Sequence, residues 1–138
     1  MIRPVSQSEN DESVRVLVVD DQELFRRGLT MLLSVEEGID VVGEAGDGIE
    51  GTELAASAAP DVVLLDVRMP KRTGIEACKA IKEAVPSAKI IMLTVSDEEA
   101  DLYEAVKSGA SGYLLKDAVP GEVVAAIRAA AKGDVFLD

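Results

Sequence analysis

The sequence predicts a three-layer α/β domain in which a five-stranded parallel sheet carries helices on both faces. Two patterns predict it: apolar runs recur along the chain with polar breaks between them, and segments of helical period separate those runs. The first run, "VRVLVV" (14–19), is followed by a segment that sets Leu24, Gly28, Met31, Leu32 and Val35 on one helical face. A second run, "IDVVGEA" (39–45), and a weaker helical segment lead to "DVVLLD" (61–66). Thr73 with Glu76 then matches a capping box and opens a third helix before "KIIMLT" (89–94). Ser96 with Glu99 matches a second box, and Gly109 and Gly112 interrupt the chain ahead of "SGYLLK" (111–116). Pro120 suits the first turn of the last helix, which sets Val123, Val124, Ile127 and Ala131 on one face. Three of the strands are continuous in Val, Ile and Leu, as strands buried on both faces require. Strict alternation with short links implies right-handed parallel crossovers, hence five strands and five helices.

Composition narrows what such a domain can do. With 138 residues, 48% hydrophobic and 29% charged, the chain suits one globular domain, with residues 1–13 as a flexible tail. Its 14 Lys and Arg stand against 26 Asp and Glu, and the resulting charge of −12 repels nucleic acid. The absence of histidine removes the commonest general base and any phosphohistidine chemistry of its own. The N-terminus "MIRPVSQSENDES" lacks the apolar stretch of a secretory signal, and Cys78 has no partner for an internal disulfide, so the expected location is cytoplasmic. Cys78 and Met69 read as packing residues.

In open parallel sheets, ligands bind beyond the carboxyl ends of the strands. Asp20 and Asp21 stand at the end of the first strand, Asp66 at the third, Thr94 at the fourth and Lys116 at the fifth. Adjacent like charges repel unless a cation lies between them, and three carboxylates on one rim suit a hard divalent cation, Mg2+ above all. Such an ion, held by few carboxylates, takes phosphate oxygens in its remaining positions. A carboxylate can attack phosphorus to form an aspartyl phosphate, with Lys116 and the Thr94 hydroxyl stabilising charge on the phosphoryl oxygens.

"VLVVDDQELFRRGL", "PDVVLLDVRMPKRTGIEA" and "IIMLTVSDEEADLYEAVKSGASGYLLKD" together resemble the receiver (CheY-like) domain of two-component response regulators, in the LuxR/NarL-type branch. The resemblance runs from about Val14 to Ala131 and implies a flavodoxin-like (βα)5 fold with strand order 2-1-3-4-5. It implies that Asp66 is the phosphoacceptor, and that Asp20, Asp21, Asp66 and the backbone carbonyl of Arg68 hold Mg2+, Asp20 chiefly through water. Thr94 would be the switch hydroxyl, Tyr113 the aromatic that moves inward on phosphorylation, and Lys116 the partner of the phosphoryl group. It further implies a sensor histidine kinase as donor, homodimerisation on phosphorylation, and transcription regulation through a C-terminal helix-turn-helix domain that alone would contact DNA. Residues 14–132 would form the receiver and 133–138 the start of a linker. Asp117 follows Lys116 where many receivers have a cis proline, and Arg68 stands where the family varies.

Simpler readings exist for single residues. Asp20 could cap the helix beginning near Gln22, Asp66 could end a strand, Thr94 could pack, and Tyr113 could be a half-buried core aromatic with a wet hydroxyl. The conjunction of acids at separate strand ends favours the site. A haloacid-dehalogenase-like phosphohydrolase would need an aspartate where Arg68 stands, so no turnover enzyme is expected. A flavin carrier would need a Gly/Ser/Thr-rich phosphate loop after the first strand. The remaining alternative is a receiver-shaped interaction module that works without phosphorylation.

Overall fold

The computed structural model describes residues 13–69, 71–95, 99–133 and 136–137. The chain alternates β1 (Val14–Val19), α1 (Glu23–Ser34), β2 (Ile39–Ala45), α2 (Gly48–Ala58), β3 (Val62–Asp66), α3 (Gly74–Ala84), β4 (Lys89–Thr94), α4 (Glu99–Lys107), β5 (Gly112–Leu115) and α5 (Pro120–Ala131). A short β6 (Phe136–Leu137) follows. All strands are parallel, in the order β2-β1-β3-β4-β5-β6. The expected order 2-1-3-4-5 is present, and β6 extends it by pairing Phe136 with Gly112 and Leu137 with Tyr113. Two residues are too few to carry a strand signal in the sequence, which is why this stretch read only as the start of a linker. The expected tail lies outside the described residues for positions 1–12, as does Ser96 of the second capping box.

The period of two along each strand divides the core. Val16, Val18, Leu64, Ile91, Leu93 and Leu114 face α1 and α5, while Leu17, Val19, Val63, Leu65, Ile90 and Met92 face the layer that contains α2 and α3. Every residue of β3 is buried, as a central parallel strand requires. Cys78 lies in the second layer with its Sγ 3.5 Å from the Ser108 carbonyl, and burial pushes its thiol up to about 11, so it is a packing residue. The Thr73–Glu76 capping box forms in both directions, and Pro120 occupies the first turn of α5. No described helix is long and apolar enough to cross a membrane.

The rotation of α1 differs from expectation. Leu29 and Leu33 face the sheet with Phe25 packed beside them, whereas Leu24, Met31, Leu32 and Val35 are 89%, 72%, 47% and 81% exposed. This helix has two apolar stripes, and periodicity cannot say which meets the core. Arg26 decides it: its guanidinium reaches Glu44 on β2 at 3.0 Å and the Asp20 carbonyl at 2.6 Å, which turns the second stripe inward. On α5 the inward residues are Val123, Ala126, Ile127 and Ala130, so Ala131 is displaced to the surface.

Candidate functional site

Asp20 directly follows β1 and is wholly buried. Its amide donates to the Ala45 carbonyl at 3.0 Å, its carbonyl takes the Arg26 guanidinium, and its Oδ1 accepts the Gln22 amide at 2.8 Å. Asp20 therefore forms a local turn instead of capping α1, whose N-cap is Gln22. Asp66 is the last residue of β3 and almost fully buried, and its Oδ1 accepts the Arg68 amide at 3.3 Å. The backbone behind it is fixed by Gly74: a Cβ there would lie 2.1 Å from the Asp66 carbonyl oxygen, so only glycine lets α3 start so close to β3. The loop between them is tied to α2 by Lys71–Asp47 at 3.4 Å and Arg72–Thr52 at 3.1 Å.

Lys116 closes the site from the end of β5. Its amide donates to the Thr94 carbonyl at 2.8 Å, which fixes the two strand ends side by side. Its Nζ lies 2.8 Å from Asp20 Oδ2 and 3.3 Å from Asp66 Oδ2, donates to Gln22 Oε1, and sits 4.8 Å from the centre of the Phe25 ring. Asp21, Gln22, Asp66, Arg68, Thr94, Val95 and Lys116 line a cleft of about 190 Å³. The structure thus brings together every expected site residue except Tyr113. That ring is inward already, 4% exposed in the core cluster that includes Ala77, Met92 and Ala105, and so more deeply buried than the simpler reading of a half-buried aromatic. The Lys116–Asp117 bond is trans.

Carboxylate oxygens of Asp20, Asp21 and Asp66 lie within 4.8 Å of one another. Burial, and next the charge of Asp20, push the Asp66 carboxyl up from 3.8 to about 7, against the opposing pull of Lys116 and of the Arg68 amide. One ammonium does not neutralise three acids. Asp20 Oδ2 touches Lys116 at ion-pair distance but without hydrogen-bond alignment, which leaves a buried carboxylate oxygen short of a partner. An oxygen-only donor set with an under-satisfied buried member is suited to a small, hard divalent cation. The sequence did not single out Gln22, Phe25 or Arg26. Their roles depend on where Lys116 and β2 lie in space, and only the position of Gln22 beside the acid pair offered a signal.

A doubly wound parallel domain with acids, a hydroxyl and a lysine converging at the carboxyl end of its sheet belongs to the class that handles phosphoryl groups or nucleotides at that edge. The response regulator receiver domain family matches residues 16–128, and the chain belongs to it. It is 46% identical over 127 residues to the uncharacterized transcriptional regulatory protein YxjL of Bacillus subtilis, covering 92% of this chain and 58% of that protein. It is 41% identical over 128 residues to the nitrate/nitrite response regulator protein NarL of Escherichia coli, covering 93% and 59%. The signal receiver domain of NarL from Mycobacterium tuberculosis superposes with a TM-score of 0.85 at 42% identity, over 88% of this chain and 98% of that one. These relatives place the chain in the LuxR/NarL-type branch, and the chain spans less than three fifths of the length of these two curated relatives.

Proposed function

We propose that the chain accepts a phosphoryl group on Asp66 from a sensor histidine kinase, in a Mg2+-dependent reaction, and that the phosphorylated form changes its association. The observation that carries this is the meeting of Asp20, Asp21 and Asp66 around a single bridging lysine at the sheet edge. Asp20, Asp21, Asp66 and the Arg68 carbonyl would hold the ion, which supplies positive charge to the phosphoryl oxygens. The Asp66 carboxylate attacks phosphorus as the bond from phosphorus to the donor's imidazole nitrogen breaks. Lys116 turns an N–H from Asp66 toward a phosphoryl oxygen, and the Thr94 hydroxyl reaches a second one. Because Tyr113 is inward here, movement of Thr94 toward the site finds that ring already withdrawn.

The exposed apolar side of α1, with Leu24, Met31 and Val35, forms a surface that reaches Lys116 at its cleft end and suits a donor that is itself a protein. Residues 14–132 would act as the receiver and 133–138 would lead to a C-terminal DNA-binding domain through which a cytoplasmic homodimer regulates transcription. Turnover of free phosphate esters is not part of this reading, since Arg68 stands where a phosphohydrolase of this kind places its acid–base aspartate. Intact mass after incubation with acetyl phosphate and Mg2+ tests the proposal. One phosphoryl adduct is expected in the wild type, absent in Asp66→Asn and without metal. An adduct that survives Asp66→Asn refutes the acceptor, and no adduct from either acetyl phosphate or a phosphorylated kinase favours a phosphorylation-independent module.

A further inference from the structure

Lys116 Nζ carries three N–H groups, and three oxygens surround it: Asp20 Oδ2, Asp66 Oδ2 and Gln22 Oε1. The face of Phe25 closes the remaining side. Two of those oxygens belong to the acid cluster. The third comes from a neutral amide at the N-cap of α1, a position where Ser, Thr, Asp and Asn are favoured because their side chains bond the first-turn amides. Gln22 makes no such bond, so α1 starts without a side-chain cap. Its amide oxygen turns away from its own helix to a lysine 94 residues along the chain. A helix start that forgoes its cap while the side chain serves a buried ammonium points to a role in the site.

We propose that Gln22 is a positioning residue for phosphoryl transfer, holding the Lys116 ammonium over the Asp66 carboxylate. This rests on Asp66 being the acceptor. The longest of the three contacts, to Asp66 at 3.3 Å, is the one that can pass to a phosphoryl oxygen as the oxygen–phosphorus bond forms at Asp66 and acetate leaves from acetyl phosphate. Asp20 and Gln22 keep the nitrogen in place during that exchange. A neutral acceptor serves here because it adds no fourth negative charge to repel the incoming donor.

The test is the phosphorylation rate at saturating Mg2+ as a function of acetyl phosphate concentration, followed by intact mass. Gln22→Met keeps the side-chain length and removes the acceptor. It is expected to lower the maximal rate on the order of fivefold with little change in the half-saturating donor concentration. Gln22→Glu, which restores an acceptor oxygen but adds a fourth negative charge, should recover most of the maximal rate while raising the half-saturating donor concentration. In a Lys116→Met background, Gln22→Met should have no further effect, because the ammonium it positions is gone. Wild-type rates in Gln22→Met, or an equal loss with and without Lys116, overturn the proposal. A wild type that forms no Asp66-dependent adduct would instead overturn the acceptor assignment, and the positioning role with it.

Discussion

Replacing Asp66 by Asn should make the metal-free domain more stable at neutral pH and remove most of the pH dependence of its stability near neutrality. The folded Asp66 carboxyl is pushed from 3.8 up to about 7, first by burial and then by the charge of Asp20. Between those two values the folded chain keeps a proton that the unfolded chain has lost. Stability therefore falls as pH rises through that interval and levels off above about 7. At about 1.4 kcal/mol per pH unit, the stretch from about pH 5.5 to about pH 7 corresponds to roughly 2 kcal/mol. The chain has no histidine, and the Cys78 thiol is pushed up to about 11, so neither masks the effect in this range. Asparagine keeps the shape of the side chain, and Lys116 retains Asp20 and Gln22 as partners, so the substitution leaves no unpaired ammonium. Urea unfolding in chelator from about pH 5.5 to about pH 8 measures it. The wild-type midpoint should fall by about 1 M, given a slope near 2 kcal/mol/M for a domain of this size, while the variant stays nearly flat. A wild type with a flat profile, or a variant with the same slope as the wild type, would refute the claim that Asp66 is held protonated by its surroundings.

The same proton competes with a cation. Calorimetric Mg2+ affinity should weaken as pH drops below about 7, approaching tenfold per pH unit, with proton release on binding; affinity indifferent to pH from about 6 to about 8 would argue against Asp66 as a ligand. The rotation of α1 is checked by a pair of substitutions: Leu33→Ala, at a 1% exposed position, should cost about 2–5 kcal/mol, whereas Met31→Ser, at 72% exposure, should stay within about 0.5 kcal/mol. Urea denaturation giving the reverse ranking would mean that the first apolar stripe faces the core.

The central strands were legible because a strand buried on both faces leaves little choice of residue, and β3 and β4 are almost pure Val, Ile, Leu and Met. The rim was legible for a related reason. A carboxylate or lysine directly after such a run has only the sheet edge to occupy, so Asp20, Asp66 and Lys116 could be placed together without coordinates. What failed depended on choices between equivalent local solutions. Phe25, Leu29 and Leu33 form as good a stripe as Leu24, Met31 and Val35, and the tie was broken by Arg26 reaching across to Glu44, a contact between elements. The link from Gln22 to Lys116 is of the same kind, joining residues that no local window contains. The near-complete burial of Tyr113 was not legible because a short strand near the sheet edge gives little periodicity, and the two residues of β6 lengthen that edge by pairing with it.

Burial also explains why the proposed reaction should need a metal, beyond the supply of ligands. At neutral pH an acceptor whose carboxyl is pushed up to about 7 keeps part of its population protonated, and a protonated carboxyl is a poor nucleophile. Lys116 alone does not correct this: one of its three N–H groups goes to Gln22, its contact with Asp20 Oδ2 lacks hydrogen-bond alignment, and its distance to Asp66 is 3.3 Å. A divalent ion among the three carboxylates would displace the Asp66 proton and bring the phosphoryl oxygens within reach of Lys116, so that nucleophile and electrophile become competent together. On that proposal, the arrangement that makes the metal-free site unstable would keep Asp66 weakly reactive toward phosphoryl donors until the ion is bound. A more exposed aspartate would hold its charge unaided and lose that dependence, so under the proposed reaction the burial of Asp66 at the end of β3 would serve function as well as follow from the fold.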